Sequence, residues 1–187
     1  MAIKIYIDQG HNPVNPNAGA EGNGLREQNI TYRIGRELAA LLEADPEFEV
    51  RLSRPTAQTQ LGNSLSTSLQ ARVQDANAWG ADYFISLHTN ASEISSATGT
   101  EAFAYARGSA AFALAEDLVE GVSAVTGLPD RGTFVRSGLY VLRRTAMPAV
   151  LLELGFITNP GDAALMNENP GLFAQGIYRG IKNYTGL

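Results

Sequence analysis

Ala149-Val150-Leu151-Leu152-Glu153-Leu154-Gly155 is an apolar run too short for an ordinary helix, broken by one acid and closed by a glycine. Such a run reads as a central strand, buried on both faces of a largely parallel sheet. The segments before it alternate in type. Residues 3–8 form a β-branched run that ends in the turn cluster Gly10-His11-Asn12-Pro13, and residues 48–54, 83–88 and 100–106 read as further strands. Between them lie helical patterns. Residues 25–42 place Ile30, Ile34, Leu38, Leu41 and Leu42 at helical spacing; residues 65–79 read as a helix stopped by Gly80; and residues 109–125 read as another, ended by Gly127-Leu128-Pro129. A last helix opens near Pro170 with Phe173, Ile177, Ile181 and Tyr184 on one side. Strands alternating with helices predict an α/β fold, a sheet covered by helices on both faces.

The chain of 187 residues shows no internal repeat and no low-complexity tract, so one domain over 1–187 is expected. With 44% hydrophobic residues it can bury a sizeable core. A formal net charge of -5 disfavours binding to nucleic acid, whose phosphates call for clustered Lys and Arg. There is no cysteine, so any metal must be held by His, Asp or Glu. The N-terminus opens directly on a strand, without the charged region, long apolar run and cleavage site of a signal peptide. No segment approaches the roughly 20 apolar residues of a membrane span. The expectation is a chain released by another route, such as phage lysis, or an excised domain.

Four residues carry the chemistry of this reading. The two histidines of the chain, His11 and His88, both fall at or just beyond the C-terminal end of a strand, the edge where open α/β sheets build sites. Glu27 falls in the middle of the stripe formed by Ile30, Ile34 and Leu38, so its carboxylate should face inward. A buried charge costs several kcal/mol unless paired or metal-bound. A metal ligand and a helix-end acid favoured by the dipole both remain open for it. Glu153 stands alone in its apolar strand, on one face with Leu151. Its alternatives are a salt bridge to Arg54, Arg72 or Arg131, and a general base whose pKa burial raises. Two imidazoles and a carboxylate with an open fourth position would make a catalytic zinc set, with the second carboxylate as base. No compact zinc motif such as His-Glu-x-x-His is present.

Five blocks, in order, resemble the zinc N-acetylmuramoyl-L-alanine amidases of the Amidase_3 family. Asp8-Gln9-Gly10-His11 resembles the family's Asp-Pro-Gly-His opening, and Gly24-Leu25-Arg26-Glu27 its Gly-Leu-x-Glu helix start. Arg72 with Ala76-Asn77, then Ala81-Asp82, lead to Ser86-Leu87-His88-Thr89-Asn90-Ala91, which is similar to its Ser-Ile-His-Ala-Asn-Ala run. The stretch from Pro148 through Glu153 to Asn159 resembles its closing block. The departures are Gln9 for proline, Asn12-Pro13 for a glycine pair, Ser53-Arg54 for Thr-Arg, and Thr89 for alanine.

The resemblance implies a single α/β domain with a twisted, mostly parallel sheet of about six strands. It implies zinc held by His11, Glu27 and His88, and catalysis by Glu153. Asn90 would either bind substrate or hold the His88 turn. Asn77, Arg72 and Arg54 are expected in structural hydrogen bonds, and Trp79 in the core or half-buried. The implied substrate is peptidoglycan, cut between the lactyl group of N-acetylmuramic acid and L-alanine by zinc-activated water. The protein would act at the bacterial cell wall as an endolysin or autolysin, favoured as a monomer. The competing readings are a zinc peptidase acting within the stem peptide and a non-catalytic wall-binding module.

Overall fold

Alternation along the β-branched runs sorts their side chains onto two faces, and the computed structural model, which describes residues 1–187, shows what covers each. The elements run β1 (Ile3–Gln9), β2 (Glu21–Gly22), β3 (Leu25–Arg26), α1 (Glu27–Glu43), β4 (Phe48–Leu52), α2 (Leu65–Trp79), β5 (Tyr83–Asn90) and β6 (Thr100–Ala104). They continue with α3 (Ala110–Thr126), β7 (Asp130–Val135), α4 (Tyr140–Arg144), β8 (Ala149–Phe156), α5 (Pro160–Glu168) and α6 (Pro170–Thr185). Six strands form one sheet in the order β4-β1-β5-β8-β6-β7, and β2 pairs with β3 in a small hairpin. Every neighbour in the sheet is parallel except the β6–β8 pair. The run around Glu153 is therefore an interior strand, as its composition predicts.

On one face, Ile5, Ile7, Ile85, Leu87, Val150 and Leu152 join α1, α3 and α6 in a core of 25 buried residues. The other face is thinner. There Tyr6, Phe84, Phe103, Ala149 and Leu151 meet residues of α2 and α4 in a cluster of 10. By strand alternation His88, Glu153 and Glu101 stand on this second face, one step beyond the cluster, where its short helices stop covering the sheet. No helix is long and apolar enough to cross a membrane.

Several boundaries differ from the sequence reading. The helix expected from residue 25 begins at Glu27, because Leu25 and Arg26 pair with Gly22 and Glu21. The strands expected to reach 54 and 106 stop at Leu52 and Ala104, and that expected to end at His88 runs on to Asn90. β7, α4 and α5 lack a legible period: β7 is an exposed edge strand interrupted by Gly132, and α4 has only five residues.

Arg72 of α2 ties the sheet to the first histidine. Its buried guanidinium donates to Asp8 Oδ1 at 2.6 Å and to the carbonyls of Gln9 at 2.7 Å and His11 at 2.6 Å. Burial would raise the Asp8 carboxyl, but the charge of Arg72, with hydrogen bonds from Ser86 and Arg72, holds it below its ordinary value. His11 itself sits at φ 69, in the left-handed region that most side chains avoid, and its tethered carbonyl helps keep it there. Replacing Arg72 with Met strands the Asp8 carboxylate in the core, so denaturation should report a loss of about 3–5 kcal/mol. A companion Asp8→Asn substitution should recover part of it.

Candidate active site

Three elements deliver the cluster: the loop after β1 brings His11, the first residue of α1 brings Glu27, and β5 brings His88. Glu27 lies between the imidazoles, its Oε2 3.1 Å from His11 Nε2 and its Oε1 3.0 Å from His88 Nδ1. The candidate ligand atoms of the three residues lie within 4.8 Å of one another. Glu27 also accepts the backbone N–H groups of Ala20 and Thr89, each at 2.9 Å, so both oxygens are held in place. Burial acts to raise its carboxyl, while hydrogen bonds and charge from His11 and His88 together hold it well below the usual carboxylate range. Asn17 Oδ1 lies 3.3 Å from His11 Nδ1 and fixes the ring from behind.

The backbone makes room for this crowding. A Cβ on Gly10 would stand 2.6 Å from the His88 ring, and one on Gly19 would stand 2.8 Å from both Glu27 and His11. Two imidazoles and one carboxylate, packed this closely and braced by outer hydrogen bonds, fit a divalent metal that keeps an open position.

Glu153 is the β8 neighbour of His88 in register, and Glu101 of β6 pairs with Glu153 from the other side. The three form a row across adjacent strands. None of the arginines weighed as salt-bridge partners reaches Glu153: Arg72 is on Asp8, Arg131 is on Glu101 at 2.8 Å, and Arg54 donates to the carbonyls of Gln28 and Ala57. Its Oε2 is enclosed and has no hydrogen-bond partner. Burial first, and then the charges of Glu27 and Glu101, push the carboxyl up to about 8. Such a group is structurally idle and chemically poised.

Other expected residues find structural work. Asn90 donates to Glu101 Oε1 at 2.9 Å and accepts the N–H of Ala91, so its amide braces Glu101 and the turn after β5. Asn77 links α2 to the backbone of Arg144 and Ala146. Trp79 is half-buried beside Tyr6 and beneath Lys4 and Arg51. Sequence reasoning passed over Glu101 and Asn17. A lone acid in the strand Thr100–Ala104 was the available signal for Glu101; Asn17 offered none.

The model of the family described as N-acetylmuramoyl-L-alanine amidase, Amidase_3, matches residues 5–183. The chain belongs to this family. It is 38% identical to the N-acetylmuramoyl-L-alanine amidase CwlM of Bacillus licheniformis over 97% of this chain and 66% of that protein. The catalytic domain of CwlV from Bacillus (Paenibacillus) polymyxa superposes with a TM-score of 0.86 at 32% identity, covering 98% of each chain. An N-acetylmuramoyl-L-alanine amidase from Clostridium difficile 630 gives 0.88 at 28% identity, over 99% of this chain and 97% of that one. The chain thus spans 66% of the length of that curated relative. Three of the four departures from the Amidase_3 pattern are absorbed locally, while the buried hydroxyl of Thr89 has no hydrogen-bond partner. Gln9 Oε1 accepts the N–H of Arg54 and Ser53 Oγ accepts that of Gln9, so the two replacements hold each other. Asn12 is buried and turned inward onto Pro16 and Leu61, bracing the His11 loop.

The raised Glu153 carboxyl makes metal-free stability depend on pH with a definite sign. Between about 4.5 and about 8 the folded protein keeps a proton that the unfolded chain has lost. The stability this proton contributes is full below the lower value and falls by roughly 1.4 kcal/mol per pH unit across the window. Denaturation of the metal-free protein at several pH values should show that Glu153→Gln removes this part of the slope. Identical slopes for the two proteins would contradict the assignment.

Proposed function

We propose that this chain is the catalytic domain, over residues 1–187, of a peptidoglycan hydrolase. It cleaves the amide between the lactyl group of N-acetylmuramic acid and L-alanine of the stem peptide, acting as a monomer at the bacterial cell wall. His11, Glu27 and His88 hold one zinc ion, and Glu153 is the general base. The observation that carries this reading is the unpartnered Glu153 carboxylate set in register beside a His-Glu-His cluster, in a member of the Amidase_3 family.

When bound, the zinc supplies Lewis acidity toward carbonyl and water oxygens, and its charge opposes the Glu27 field that raises Glu153. The chain's own residues do the rest. Glu153 takes the proton of the attacking water and returns it to the amine of L-alanine as the amide bond breaks. Glu101, held by Asn90 and Arg131, stays on the flank of Glu153 and makes no hydrogen bond to it. Glu27, held by two backbone N–H groups, presents its carboxylate between the two histidines.

The test is digestion of a defined muropeptide with added zinc and with chelator, read by mass spectrometry. The expected products are the glycan and an intact stem peptide with a free L-alanine amine, and none after exhaustive chelation. Shortened stems would indicate a peptidase, and the absence of any product would indicate a binding module.

A further inference from the structure

A narrow recess of about 200 Å³ opens directly on the paired histidines. His11 and His88 line it, and its walls are Leu65 and Leu69 from the first turns of α2, Leu139 and Tyr140 at the start of α4, and Leu151 from the sheet. Most of its polar lining is committed, the buried Arg72 Nε and the Tyr140 hydroxyl being the groups left without a partner. Asp8 and Arg72 pair with each other, and Asn17 is held by Ser68 and His11. An incoming group therefore meets apolar walls. Leu65 stands at 58% exposure, a large aliphatic side chain left in water beside a polar cluster. The recess is smaller than the roughly 300 Å³ at which whole-ligand sites begin, so it takes a part of a substrate and not the whole.

The position of the recess limits which part. His88 and Glu153 stand on the same sheet face, and the row containing Leu151 lies just beneath them, so a reacting amide held at the histidines lies at the mouth of the slot. We propose that this slot is an apolar subsite that takes a methyl group flanking the scissile amide. The inference rests on the amidase reading above and adds a specificity determinant to it. Two groups of the substrate have this chemistry, the lactyl methyl on the acyl side and the L-alanine methyl on the amine side. Burying one methyl in place of water is worth a selectivity of about 10-fold or more.

Zinc-loaded protein assayed on muramoyl-peptides that differ by one methyl separates the two sources: lactyl against glycolyl, and L-alanine against glycine. The expected result is a fall in kcat/KM of about 10-fold or more for one of the pairs. In Leu139→Phe, and in Leu65→Trp should the first fold poorly, the ratio for that pair should move toward one. Ratios near one for both pairs in the unsubstituted protein, or a ratio unmoved in both variants, would overturn the subsite. Failure to hydrolyse any of the four substrates would overturn the amidase reading and the subsite with it. A second readout needs no turnover: saturation-transfer NMR of the metal-free protein with N-acetylmuramoyl-L-alanine, whose lactyl, alanyl and acetyl methyls resolve separately. Saturation strongest on the lactyl or alanyl methyl and reduced in Leu139→Phe supports the subsite, whereas saturation strongest on the acetyl methyl refutes it.

Discussion

Glu153→Gln should leave a folded, metal-loaded protein whose amide hydrolysis has fallen by about 10²- to 10⁴-fold, the usual cost of losing a general base. The amide matches the carboxyl in volume and keeps a carbonyl oxygen, but it cannot accept the water's proton. Folding should not suffer. Glu153 makes no salt bridge that the substitution would break, and its Oε2 has no partner to lose. The replacement also removes a carboxyl that burial and two neighbouring acids make costly to ionise, so the metal-free variant should be the more stable protein near pH 8. Zinc content measured beside turnover distinguishes this from a ligand defect. Near-normal turnover by the zinc-loaded variant would move the base to another residue.

Glu153 also shows why the residues of the candidate site stand out in the sequence. A charge in a fully apolar strand violates the pattern around it, and folding alone gives no reason for Glu153; Glu27 breaks the apolar stripe of α1 in the same way, although it also accepts two backbone N–H groups. The histidines gained meaning from the strand ends that carry them. The long periodic elements were equally readable, and residues 65–79 match α2 end for end. What stayed hidden had no local period. β7 exposes residues at both ends and is held mainly by its pairing with β6, so it exists because of its neighbour and not because of its own pattern. The bracing of His11 by Asn17, and of Glu153's flank by Glu101, Asn90 and Arg131, depends on side chains that only tertiary contact brings together. The apolar slot is hidden for the same reason, since α2, α4 and β8 each supply one wall.

Glu27→Ala should fail in the opposite way, through metal affinity and not through the proton. Two histidines remain, but the charged ligand between them is gone, and with it the group that fixes both rings at 3.0 to 3.1 Å. Losing a partner that merely supports a ligand costs about 10- to 100-fold in affinity, so losing the ligand itself should cost more. The same substitution strips the Ala20 and Thr89 N–H groups of their acceptor, which should cost about 1–3 kcal/mol for each group left without water. Glu27→Gln separates the two effects, because its amide oxygen can still accept one of those bonds while its charge is absent. A third consequence reaches across the site. Glu27 is one of the two acids whose charge raises Glu153, so in metal-free Glu27→Ala the Glu153 carboxyl should titrate below about 8 and shorten the pH window of destabilisation. Zinc titration, denaturation and the pH slope together read these three effects. Zinc binding by Glu27→Ala as tight as that of the unsubstituted chain would remove Glu27 from the ligand set, whatever became of the activity.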